Sequence, residues 1–142
     1  MAFAITAFRV DDEASMAAVR HIRQTVFCDE QGVSSTDEWD GKDFLCEHFL
    51  LMDGATAIGC ARLRPYAPGI HKIERVAIVK ERRGKGAGRT IMDHLLHRLK
   101  GRMAILHAQT AVEDFYKRMG FEREGEPFTE AGLAHVAMTW RS

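Results

Sequence analysis

Apolar residues run along this chain in short blocks and helical stripes separated by polar and glycine-containing breaks, and no block approaches the ~18 residues that span a bilayer. Phe3–Val10 combines β-branched and aromatic residues and leads into Asp11-Asp12, which predicts a strand and then a helix N-cap. Met16, Val19, Ile22, Arg23 and Val26 to Phe27 recur at helical spacing, so a helix is expected from about residue 12 to about residue 30, stopped by Gly32. Residues 33–43 (VSSTDEWDGKD) read as a polar, acidic loop. Phe44–Met52 and Ala55–Arg64 predict strands joined by a hairpin turn at Asp53-Gly54. Pro65 and Pro68-Gly69 are expected to break the chain before another strand, His71–Val79. Ile91, Met92, Leu95, Leu96 and Leu99 share one face of a helix from Gly86 to about Leu99, and Gly101 ends it. Met103–Gln109 predicts a strand, Val112–Met119 a short helix stopped by Gly120, and Phe121–Glu124 and Ala134–Trp140 two closing strands. A hairpin followed by alternating strands and helices implies an α/β (α+β) fold, a mixed sheet flanked by helices.

Composition narrows the class. The 142 residues contain no repeat or linker, so a single domain over residues 1–142 is expected. At 46% hydrophobic and 28% charged, the chain can bury a core without metals or disulfides. Twenty basic against twenty acidic residues give zero net charge, which argues against nucleic acid as a partner. Cys28, Cys46 and Cys60 form no CxxC pair, so neither a disulfide framework nor a cysteine-rich zinc site is expected; Cys46 and Cys60 read as small core residues. The start, MAFAITAFRVDDE, has no charged n-region or long apolar stretch. The expected location is cytoplasmic, with no membrane partner. His94 and His97 lie beside Asp93 and Arg98 on the polar side of their helix, and no metal is expected.

The most informative stretch is residues 76–92, VAIVKERRGKGAGRTIM, where an apolar strand meets a loop with glycines at 84, 86 and 88 and then an amphipathic helix. A helix N-terminus has unpaired backbone N–H groups and partial positive charge, and glycines let a ligand approach them. Arg83, Lys85 and Arg89 add charge, which suits a diphosphate. Gly-Lys-Ser/Thr is missing, which excludes a Walker A loop, and the spacing of the glycines by twos excludes GxGxxG. What remains is Arg83-x-x-Gly86-x-Gly88; by itself it could also be a turn joining strand to helix.

In that spacing the chain resembles the GNAT superfamily of acetyl-CoA-dependent N-acyltransferases. A second block, AQTAVEDFYKRMGF (108–121), resembles the family's later signature, a short helix with Phe-Tyr ending in Gly-Phe. FCDEQGV (27–33), EWDGKDFLCEHFLL (38–51), LHAQTAVEDFYKRMGF (106–121) and GEPFTEAGLAHVAM (125–138) look most like the ElaA/YjcF-type branch, with Cys28-Asp29 as a departure where apolar residues are expected. The resemblance implies a single-domain, mostly antiparallel sheet with a V-shaped split between two adjacent strands. It implies acetyl-CoA as cosubstrate, with Arg83, Gly84, Lys85, Gly86, Ala87, Gly88 and Arg89 at the pyrophosphate and Val76, Ala77 and Ile78 along the pantetheine. Phe115 belongs to the same binding set, and Gln109 would meet the pantetheine or an ordered water, or cap the next helix.

Tyr116 matches the family's general acid, a phenol that stays protonated at neutral pH. Two carboxylates compete as general base. Glu74 sits two residues before Val76, on the same face by alternation, and Glu30 ends the first helix; either could instead be a surface carboxylate paired with Arg75 or Arg23. His71 and His135 lie near strands that border the family's substrate cleft. Asp37, Glu38, Asp40 and Asp43 around Trp39 could hold a cationic amine, in which case Asp40→Asn would raise KM for such amines; otherwise the loop is solvated. The expected activity is direct acetyl transfer to a primary amine of a small molecule or peptide in a ternary complex; the alternative is a non-catalytic acyl-CoA binding or sensing domain. Exposed strand edges near the C-terminus fit a homodimer.

Overall fold

In the computed structural model, which describes residues 2–142, the chain runs β1 (Phe3–Phe8), α1 (Glu13–Arg23), α2 (Ser35–Glu38), β2 (Glu47–Asp53), β3 (Thr56–Ala67), β4 (Ile70–Ile78), α3 (Ala87–Arg98), β5 (Met103–Gln109), α4 (Glu113–Lys117), β6 (Glu122–Glu130) and β7 (Leu133–Arg141). Asp12 caps α1 by accepting from the Ser15 N–H at 3.2 Å, and the helical path continues to Glu30 as a π-helical segment, Gln24–Glu30. The acidic loop is not wholly irregular: Ser34 caps the single turn of α2 through the Asp37 N–H (3.1 Å).

The break expected at Pro65 is absorbed by a strand, and the strand expected at Phe121–Glu124 runs further than predicted. β3 continues through Pro65 to Ala67, beyond Leu63, the last residue it pairs with β2, so the missing N–H falls where only one neighbour remains. β6 continues past Gly125 and Pro127 through a register shift on the sheet's outer edge.

The seven strands form one sheet in the order β1-β2-β3-β4-β5-β7-β6, with β4–β5 the single parallel pair. Both faces are covered, which explains the near-continuous apolar runs. Phe8, Met16, Val19, Ile22, Leu50 and Cys60 form the core beneath α1; Phe49, Leu51, Ile73, Ile91, Met92, Leu95 and Met138 form the core beneath α3. Cys46 and Cys60 are buried, and burial pushes the Cys60 thiol up to about 12. No described helix is long and apolar enough to cross a membrane.

The sheet opens at one place. β4 and β5 pair from Ile70–Met103 to Ile73–Leu106 and then part, giving the expected V-shaped split. Beyond Glu74, still paired with Arg62, the β3–β4 register slips, and Arg75 is a bulge residue with φ of 57°, an unfavourable conformation for a non-glycine side chain. The bulge also corrects the alternation argument. Val76 and Ile78 pack with the core that contains Ile73, whereas Ala77 packs beneath α1 with Cys60. Glu74 bonds Arg62, two residues along β3 from Cys60, so Glu74 and Val76 face opposite sides of the sheet.

Candidate active site

The split leads into a cleft of about 800 Å³, within the range of small-molecule and cofactor sites. One wall is the end of β4. The Val79 N–H donates to Ile58 O on β3 (2.9 Å), while Ile78 O accepts from Arg83 Nε on the opposite side (2.9 Å). In-strand alternation therefore turns the edge groups of Val76 and Ile78 into the split, where β5 no longer pairs with them.

The loop after β4 is shaped by two left-handed glycines, Gly84 (φ 77°) and Gly86 (φ 84°), the second of which begins α3. No side chain caps α3, so its first N–H groups are open to the cleft. Gly88 differs: its φ is not left-handed, and a β-carbon there would lie 3.4 Å from the Phe115 ring of α4, about van der Waals contact. Arg82, Arg83 and Arg89 line the cleft with Gly84, Gly86, Ala87 and Gly88; Lys85 does not. Arg83 is held by Glu30, with bonds of 2.5 and 2.9 Å, and this hydrogen bond keeps the Glu30 carboxyl below the usual range.

Phe115 and Tyr116 both border the cleft, their rings edge to face at 5.1 Å. Tyr116 is buried against the α3-side core, its hydroxyl has no hydrogen-bond partner among the described residues, and burial pushes its pKa up to about 12. Gln109 does not cap the helix that follows; its amide donates to Gln31 Oε1 at 2.8 Å, bridging the end of β5 to the end of the π-helical segment.

The acidic residues have partners that the sequence alone did not show. Glu74 lines the cleft but is bonded by Arg64 (2.8 Å) and Arg62 (3.3 Å), with Lys72 at 3.5 Å, rather than by Arg75 or Arg23. Burial pushes its carboxyl up, and these cations outweigh burial and hold it below the usual range. Arg23, fully buried, bonds Glu38 (2.7 Å) and Asp43 (2.8 Å) and lies over the Trp39 ring at 4.8 Å. Arg62 bonds Asp40 (2.6 Å) and Asp43 (2.9 Å), and Arg75 bonds Glu38 (2.9 Å). Three of the four carboxylates expected to hold a cationic amine, Glu38, Asp40 and Asp43, are thus already paired with the protein's own arginines, and the loop is a structural clasp on the sheet. Glu30 lies outside the cleft lining. His135 lines it and His71 does not; His107 and Glu130, neither singled out by motif, also line it.

The acetyltransferase (GNAT) domain family matches residues 42–142. The uncharacterized N-acetyltransferase YjcF of Bacillus subtilis is 33% identical over 89% of this chain and 93% of its own length. The crystal structure of Escherichia coli ElaA superposes with a TM-score of 0.87 at 23% identity, covering 98% of this chain and 99% of ElaA. PaiA N-acetyltransferase of Thermoplasma acidophilum, in complex with coenzyme A, gives a TM-score of 0.71 at 16% identity over the full length of both chains.

Proposed function

Because the chain belongs to the GNAT acetyltransferase family, we propose that it transfers the acetyl group of acetyl-CoA to a primary amine in a ternary complex. The observation that carries this reading is the coincidence, in one cleft, of an uncapped helix N-terminus flanked by arginines with a free backbone edge and an unpartnered phenol. The α3 N-terminus, Gly84, Gly86 and Gly88 suit the diphosphate, with Arg82, Arg83 and Arg89 around it. PaiA, a protein of the same fold solved in complex with coenzyme A, supports coenzyme A as the kind of ligand this fold accepts. Pantetheine would extend β4 along the split, its amides meeting the edge groups of Val76 and Ile78. The Val76 N–H is then positioned to polarise the thioester carbonyl. Tyr116 supplies the proton to the departing thiolate; a phenol pushed up to about 12 is fully protonated at neutral pH.

The test is to mix protein with acetyl-CoA and a panel of primary amines and follow free thiol. Turnover with at least one amine is expected. Acetyl-CoA binding without turnover across a broad panel would favour the sensing domain, and absence of binding would remove both readings. Glu30 gives a sharper expectation, because its carboxylate competes with the diphosphate for Arg83. Glu30→Gln should tighten acetyl-CoA by about threefold to tenfold in calorimetry, the scale of one partly exposed charge. Weaker binding would show that Glu30 instead holds Arg83 in its binding position.

A further inference from the structure

On the proposed acetyl transfer, one task remains without a free group: the amine must lose a proton before it attacks, and Glu74 and Glu30 are both committed to arginines. The cleft holds another candidate. On β5, Ala104, Leu106 and Ala108 point into the core beneath α3, so His107 and Gln109 point to the α1 side of the split, where Gln109 reaches Gln31. His107 is the first β5 residue beyond the last pair with β4, so it stands where the strands begin to part.

Its ring is oriented by the β6–β7 hairpin. The turn between Glu130 and Leu133 places both Ala131 (φ 51°) and Gly132 (φ 78°) in the left-handed region, strained for alanine, as a tight primed turn requires. This turn overhangs the cleft and brings Glu130 Oε1 to 3.0 Å from His107 Nδ1. The hydrogen bond from His107 keeps the Glu130 carboxyl below the usual range, so it is an ionised acceptor. An ionised carboxylate accepts only, so Nδ1 carries the hydrogen, and in the neutral imidazole that leaves the lone pair on Nε2. Nε2 has no partner among the described residues. Phe128 packs edge-on against His107 at 5.0 Å and fixes the ring plane further. His135, whose Nδ1 donates to Leu133 O at 2.8 Å, and Lys72 are the other charged or titratable groups beside Glu130.

We propose that His107, oriented by Glu130, is the general base that deprotonates the acceptor amine on the α1 side of the split, opposite Tyr116. Nε2 takes one proton from the ammonium. The freed nitrogen lone pair adds to the thioester carbonyl, and the carbon–sulfur bond then breaks. The departing thiolate takes the Tyr116 proton, the amide nitrogen returns its surplus proton to the phenolate, and the imidazolium releases its proton to water. The products are the N-acetyl amine and free coenzyme A.

The experiment uses the full chain and the best amine of the panel. His107→Ala should lower kcat by about 10²–10⁴-fold and leave acetyl-CoA affinity unchanged. Added imidazole should restore part of the rate, and an amine already neutral at the assay pH should suffer a smaller loss. His107→Gln, closer in shape, should be as slow, which separates lost basicity from lost packing. A His107→Ala rate within about threefold of wild type, a parallel loss of acetyl-CoA affinity, or a lost rate that neither imidazole nor a neutral amine relieves would overturn the assignment while leaving the acetyltransferase reading standing. A wild-type protein that acetylates no amine would overturn both.

Discussion

Replacing Tyr116 with phenylalanine is expected to lower kcat by about 10²–10⁴-fold while acetyl-CoA affinity stays nearly intact. The substitution removes one oxygen and nothing else. The ring remains buried against Phe115 and Phe121, with centroids at 5.1 and 5.8 Å, so α4 keeps its packing. The hydroxyl has no hydrogen bond to lose among the described residues, so the fold should barely register the change. A thiolate leaving without its proton donor, by contrast, makes collapse to amide slow. The measurement is steady-state kinetics alongside calorimetric binding of acetyl-CoA. A loss in affinity as large as the loss in kcat would instead assign Tyr116 a packing role in the cleft wall.

Arg62→Met should destabilise the fold by about 3–5 kcal/mol, the usual cost of stripping one member from a buried ionic cluster. Arg62 is fully buried and bonds Asp40, Asp43 and Glu74 together, so methionine leaves three carboxylates short of a cation. A lowered urea midpoint checks this; an unchanged midpoint would mean that Arg23, Arg64 and Arg75 suffice. The same cluster gives wild-type stability a pH dependence. Burial pushes the carboxyls of Asp40, Asp43 and Glu74 up, but the surrounding arginines outweigh it and hold all three below the ordinary range. The unfolded chain, with carboxyls near 3.9 to 4.3, therefore binds protons more readily than the folded one in acid. This contribution is complete above about pH 5 and is lost as pH falls below about 4. In Arg62→Met that acid slope should flatten, because the carboxyls lose much of what depressed them.

The two kinds of residue in these predictions differed in how legible they were. Tyr116 and the Arg83–Gly88 loop belong to contiguous motifs, and their local chemistry follows from a strand, a glycine turn and a helix start, features set within a few residues of chain. The acidic loop was legible as acidic but not as neutralised, because Arg23, Arg62 and Arg75 come from α1, β3 and β4, and any of the chain's cations would have been equally eligible. His107 carried a faint signal: it shares a face with Gln109 by simple alternation on β5. Glu130, 23 residues away, carried none, since its approach depends on the register of β6 against β7 and on a strained turn.

By itself, then, the sequence determined the strand and helix order, the two-sided burial of the sheet and the diphosphate-suited loop, because periodicity and helix-end chemistry act over short range. Tertiary structure decided which face each group near the split occupies. A single extra residue at Arg75 reverses the alternation that would have joined Glu74 to Val76, and a period-two pattern does not reveal such a slip until the neighbouring strand is in place. It also decided which ionisable groups remain free, because that depends on charges brought together from distant segments.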